Sequence, residues 1–129
     1  MTTNDNAKSQ AEAQMASIME MVSKLRNEDD PDGQEEAAEL IQEDPLSVLV
    51  RDGWRSPGAP TEDGPEEYEI LLCTGGPAVR IHGELNQWNE PRSARIEYQD
   101  WFQPWKELEI TQDQEDALMV YAQQFYYGE

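Results

Sequence analysis

A chain of 129 residues, 37% of them hydrophobic, is long enough for one domain with a modest core. Its 28 acidic residues against nine basic ones give a formal charge of -19, which excludes direct binding to nucleic acid or an anionic membrane, because phosphate contacts need Lys and Arg. The single cysteine, Cys73, excludes an internal disulfide and every multi-cysteine zinc pattern.

Residues 1–9 are polar, hold no apolar signal core and read as a disordered leader. No stretch reaches the roughly 18 apolar residues needed to span a membrane, so the expected location is the cytoplasm. From residue 9 to 27 the period is helical, with Ala11, Met15, Ile18, Val22 and Leu25 spaced alternately four and three apart. That spacing suits a helix covering its own core, and equally a short dimer seam of Met15, Ile18, Val22 and Leu25.

The next stretch, EDDPDGQEEAAELIQED, has nine acids in seventeen residues and no base. Pro31 and Gly33 predict a break, and a second helix is expected over 34–43. On it Glu35, Glu39 and Glu43 recur every four residues, about 6 Å apart along the axis, and form a line of carboxylates flanked by Glu36. Ala37, Leu40 and Ile41 take the neighbouring face that docks on the core. Asp44 and Pro45 read as an N-cap and first helical position, predicting a short third helix over 46–52 that Gly53 ends. The acidic helical region thus covers 10–52, and the Pro/Gly-rich segment 53–67 is a surface loop carrying Glu62, Asp63, Glu66 and Glu67.

After Glu67 the period becomes two. Tyr68, Ile70 and Leu72 share one face of a first strand. Val79, Ile81 and Leu85 point inward from a second, with Arg80, His82 and Glu84 outward. Ala94, Ile96 and Tyr98 point inward from a third, with Arg95, Glu97 and Gln99 outward. TGGP and NQWNEP make the turns, and WKELEI adds a fourth strand. Thr111 and Gln114 have capping-box spacing, and the helix they start buries Leu118, Tyr121, Ala122 and Phe125 against the inner face of the sheet. The predicted class is α+β: acidic N-terminal helices, then a three- to four-stranded antiparallel meander with a packed C-terminal helix over 68–129, in one domain with 10–67.

The motifs for chemistry are poor. His82, the one histidine, lies on the wet strand face and reads as a cross-strand polar partner; Cys73 ends a hydrophobic strand and reads as a small buried apolar residue. DDPDGQEE fails as a calcium loop, because counting from Asp30 it places Glu35 where the sixth-position glycine belongs. CTGGPAV lacks the GK[ST] ending of a phosphate loop. The expectation is a protein without catalytic residues, cofactor or metal.

The charge, by contrast, is concentrated. Residues 1–33 carry seven acids and three bases, 34–67 carry ten and two, and 68–129 carry eleven and four. A row of carboxylates on an ordered helix can occupy a Lys- and Arg-lined channel that otherwise holds a polyanion. DGWRSPG, YEILLCTGGPAVRI and ARIEYQDW resemble proteins of phages and integrated elements over roughly residues 52–127. In size and acidity the chain resembles the small anti-defence proteins among these, the anti-CRISPR and antirestriction DNA mimics. That resemblance implies an inhibitor acting by occlusion in the host cytoplasm, on a basic nucleic-acid-binding protein or ribonucleoprotein complex. The contacts expected from the residues are Asp29, Asp30, Asp32, Glu35, Glu36, Glu39 and Glu43, with the loop acids Glu62, Asp63, Glu66 and Glu67 beside them. Trp101, Phe102 and Trp105 are assigned to the core. The alternative is a homodimeric adaptor that binds a basic protein through the same acidic surface.

Overall fold

The computed structural model describes residues 3–51, 57, 66–74, 77–100 and 103–127, with side chains from Ala7 onward. The expected surface loop, apart from Pro57, Glu66 and Glu67, therefore lies outside the described residues. So do the glycines of the TGGP turn, Trp101 and Phe102.

Helix α1 spans Thr3–Leu25. It begins inside the segment expected as a disordered leader, because the buried stripe runs one turn further back: Ala7 is as fully buried as Ala11, four residues on. Met15, Ile18 and Val22 continue that stripe inside the chain's own core, with Leu25 packed at its margin. The seam that could have formed a dimer is thus consumed within one molecule. Helix α2 spans Pro31–Glu43 and starts at the proline expected to break it. The Asp30 carboxylate accepts a hydrogen bond from the Gly33 N–H at 3.1 Å, and Pro31 at the first helical position forfeits only an N–H that has no partner within the helix. The Gln34 side chain donates to the Leu25 carbonyl and closes the α1–α2 corner.

The predicted third helix is a strand. Asp44 caps the C-terminal end of α2 rather than opening a new helix, and β1 spans Ser47–Arg51. Its β-branched Val48 and Val50 suit a pleated surface, and they pair with Ile70 and Tyr68 of β2, Glu67–Cys73. A free sheet edge far along the chain decides the conformation of these five residues. Strands β3, Ala78–Glu84, β4, Arg95–Gln99, and the two-residue β5, Lys106–Glu107, complete an antiparallel sheet in chain order. Inward and outward residues alternate as the sequence predicts, apart from Tyr98, which is only partly buried.

Gly83 makes one cross-sheet contact feasible. Tyr68 lies opposite it, and its hydroxyl passes over β3 to donate to the Ser93 carbonyl at 2.6 Å. A Cβ at Gly83 would strike that carbonyl and stand 2.7 Å from the Tyr68 hydroxyl.

Helix α3, Gln112–Ala122, opens with the predicted capping box: Thr111 and Gln114 exchange hydrogen bonds of 3.2 and 2.9 Å. It packs on α1 and meets the sheet chiefly at β4, whereas α1 lies against β3 and β4. The inner face is thus covered by α1 more than by the C-terminal helix expected there. The α+β class holds, with three helices and one five-stranded antiparallel sheet among the described residues. One hydrophobic cluster joins Ile18, Ile41, Ile70, Ile81, Ile96 and Leu118, so helices and sheet share a core.

Candidate functional site

Two buried residues set the orientation of α2. Ala37 and Ile41, four apart and fully buried, hold one face against α1. The helical period then turns Glu35, Glu36, Glu39 and Glu43 outward, and all four are exposed. Leu40, expected on the docking face, is 44% exposed. It sits one residue before Ile41, about 100° around the helix, past the edge of the contact. The line from Glu35 to Glu43 covers about 12 Å. Asp29 and Asp32 are exposed at its N-terminal end; Asp30 is exposed too, but its carboxylate is occupied in capping the helix. Among the described residues, none of these acids has a basic partner.

The C-terminal end of the line is braced. The Tyr121 hydroxyl, on fully buried Tyr121 of α3, donates to Asp44 Oδ2 at 2.7 Å. Gln42 Nε2 donates to the Gln124 carbonyl at 2.6 Å. Burial, with the Asp44 carboxylate beside it, pushes the Tyr121 phenol far above its ordinary value. It stays protonated and continues to donate.

The outer face of the sheet has the opposite character. Arg51 reaches both Glu67 carboxylate oxygens at 2.8 Å, and His82 Nε2 lies 2.9 Å from Glu67. Arg95 approaches His82 Nδ1 at 3.1 Å. A guanidinium can only donate, so Nδ1 accepts and Nε2–H donates to Glu67. Arg80 bridges Glu69 and Glu97 at 2.7 and 2.8 Å, with Trp105 beneath its guanidinium at 4.2 Å. Arg92 pairs with Glu84 at 3.2 Å. The Arg51 guanidinium holds the Glu67 carboxyl below the usual carboxylate range against the opposing effect of burial, with His82 adding to the lowering.

Four of the nine basic residues, Arg51, Arg80, Arg92 and Arg95, the last 3.9 Å from Glu97, are engaged here with four acids, Glu67, Glu69, Glu84 and Glu97. Among the described residues the uncompensated charge consequently lies elsewhere, above all on α2. Glu67 drops out of the expected contact set because it is held by Arg51 and His82. Glu66 is exposed at the start of β2, while Glu62 and Asp63 lie outside the described residues. Trp105, assigned to the core, instead packs under Arg80 on the outer face.

The same network bears on catalysis. Both ring nitrogens of His82 are occupied, by Glu67 and Arg95. Cys73 lies four residues along β2 from Glu69, the residue opposite His82, about 13 Å away. Its half-buried thiol is pushed up by burial, the reverse of what activates a nucleophile. Cys73 and His82 are therefore too far apart to act together as a nucleophile and its base. Among the described residues, no three His, Cys, Asp or Glu side chains converge on a metal position, and no helix is long and apolar enough to cross a membrane.

The sequence alternation places Arg80, His82, Glu84, Arg95 and Glu97 outward. It does not show that they neutralise one another, because that depends on strand register. No family model, curated protein or solved structure matches the chain.

Proposed function

We propose that this protein is a non-catalytic acidic inhibitor, acting in the host cytoplasm, that occupies the positively charged nucleic-acid site of a defence nuclease or CRISPR surveillance complex. The observation that carries the reading is the segregation of charge. The sheet face spends its acids on arginines, while α2 presents Glu35, Glu36, Glu39 and Glu43 exposed and, among the described residues, without basic partners, on a helix whose rotation Ala37 and Ile41 fix. A rigid row of carboxylates can replace phosphates along a Lys- and Arg-lined channel. Its own ordering cost is already met by packing against α1.

The test is a low-salt pull-down from host lysate treated with nucleases, followed by competition with DNA and by a triple reversal, Glu35→Lys, Glu39→Lys and Glu43→Lys. Recovery of a nuclease or guide-RNA complex, displaced by DNA and lost with the triple reversal, is the expected result. Inhibition unchanged by the triple reversal would overturn the site. Recovery of a basic protein that DNA does not displace would replace occlusion with simple docking.

A further inference from the structure

A second exposed feature has no role in the acidic line. Trp88 is 69% exposed and Tyr126 is 81% exposed, and both border one open groove between the β3–β4 turn and the chain following α3. Exposed apolar surface gathered along one groove and rimmed by polar residues marks an interaction site, where a single exposed side chain would not. This tryptophan stands on a built turn. The Asn86 side chain accepts from the Trp88 and Glu90 N–H groups at 2.8 and 3.1 Å, and the Asn86 N–H donates to the Glu90 carbonyl at 2.9 Å. Asn89 takes the positive φ of 61° that the turn requires, which asparagine tolerates better than most residues. The other wall is equally fixed, since the Tyr127 hydroxyl donates to the Ala122 carbonyl at 2.7 Å and the Tyr127 ring packs against Tyr68 at 5.0 Å.

The groove's electrostatics select its occupant. Among the described residues its lining has no basic residue and includes Glu90 at the rim, on a chain whose formal charge is -19. The nearest arginine in sequence, Arg92, is engaged with Glu84. Exposed aromatic faces beside a carboxylate favour a cation with a flat face. The same molecule already places a guanidinium over an indole, Arg80 above Trp105.

The geometry points to this groove as a receptor for an arginine side chain on a basic protein partner, stacked against Trp88 and Tyr126 with Glu90 at its edge. This deepens the reading above by giving a partner that α2 attracts through charge a second contact with side-chain selectivity. It rests on that reading only for the sign of the partner's charge.

Calorimetric titration of the full chain with hexa-arginine and hexa-lysine peptides tests it, in about 0.5 M salt, where exposed charges are screened beyond a few ångströms. The wild-type protein should bind the arginine peptide about fivefold more tightly than the lysine peptide, the size expected of one cation–π stack. Trp88→Ala should erase that preference, and Trp88→Phe should keep part of it, with circular dichroism unchanged in both. Repeated in about 0.1 M salt, where exposed charges act over about 10 Å, the triple lysine reversal on α2 should weaken both peptides alike and leave their ratio intact. Failure of that reversal to weaken either peptide would count against the acidic helix, whereas the groove is judged by the arginine-to-lysine ratio and by the state of association. A ratio identical in wild type and Trp88→Ala would overturn the groove. So would a wild-type dimer, seen by sedimentation, that Trp88→Ala dissolves, because the occupant would then be a second copy of the chain.

Discussion

Replacing Glu35, Glu39 and Glu43 together with Gln should make the free protein more stable while weakening its hold on a basic partner. The three side chains lie on one exposed face without a basic partner among the described residues, and they form two like-charge pairs at a spacing of four. Each such pair costs a helix about 0.2–0.5 kcal/mol. Glu43 is also the last residue of α2, where a negative charge opposes the helix dipole by about 0.3–1 kcal/mol. Gln matches Glu closely in shape and helix propensity, so little is lost in exchange. The gain should come to about 1 kcal/mol, or roughly 4 °C in Tm for a chain of this size. Urea denaturation followed by far-UV circular dichroism measures it. It should be run at about 10 mM and about 1 M salt, where the screening length falls from about 30 to about 3 Å. The gain should appear at low salt and largely vanish at high salt. A variant no more stable than wild type at low salt would refute the claim that these carboxylates repel one another across a fixed face. A gain that survives high salt would show that something other than charge was relieved.

Three further outcomes follow from the geometry. Tyr121→Phe removes the hydroxyl that binds Asp44 and should cost about 1.5–3 kcal/mol, as for hydrogen bonds to charged groups, read as a lower urea midpoint at unchanged slope. Gly83→Ala drives a methyl group into the Ser93 carbonyl and against the Tyr68 hydroxyl; it should destabilise by about 1–3 kcal/mol or more, and a variant as stable as wild type would disprove the close approach. Burial raises the phenols of Tyr68, Tyr121 and Tyr127 above their ordinary value, so each contributes stability that is complete below about pH 10 and is lost as pH rises further toward the folded values. Absorbance at the phenolate band should show these three ionising together with loss of far-UV ellipticity, and ionisation near pH 10 with the fold intact would contradict their burial.

Elements whose geometry is set by neighbours in sequence were legible from the sequence. The Thr111–Gln114 cap, the inward sets of β2 and β3 and the outward Arg80, His82 and Glu84 follow from periods and spacings within a few residues. So does the exposure of Glu35, Glu39 and Glu43, since Ala37 and Ile41 mark the opposite side of the same helix. Ser47–Arg51 reads as helix in the sequence because Asp44–Pro45 is locally a good helix start. The open edge of β2, more than fifteen residues away, offered Val48 and Val50 a ladder that no local signal announces. Pro31 was misread for a related reason: proline breaks a helix in its interior and suits its first position, and Asp30 capping Gly33 makes it the first position.

Composition alone set the excess of negative charge; the tertiary structure decided where it lies. Strand register brings Arg51 to Glu67 and Arg80 to Glu69 and Glu97, and the period of two sets Arg95 beside Glu97, so the sheet face neutralises itself. Folding α1 onto that sheet then leaves α2 as the outer layer, with its carboxylates facing water. Charge is a sum over residues and can be counted along a chain, whereas its compensation depends on distances of a few ångströms between residues that only the folded chain brings together.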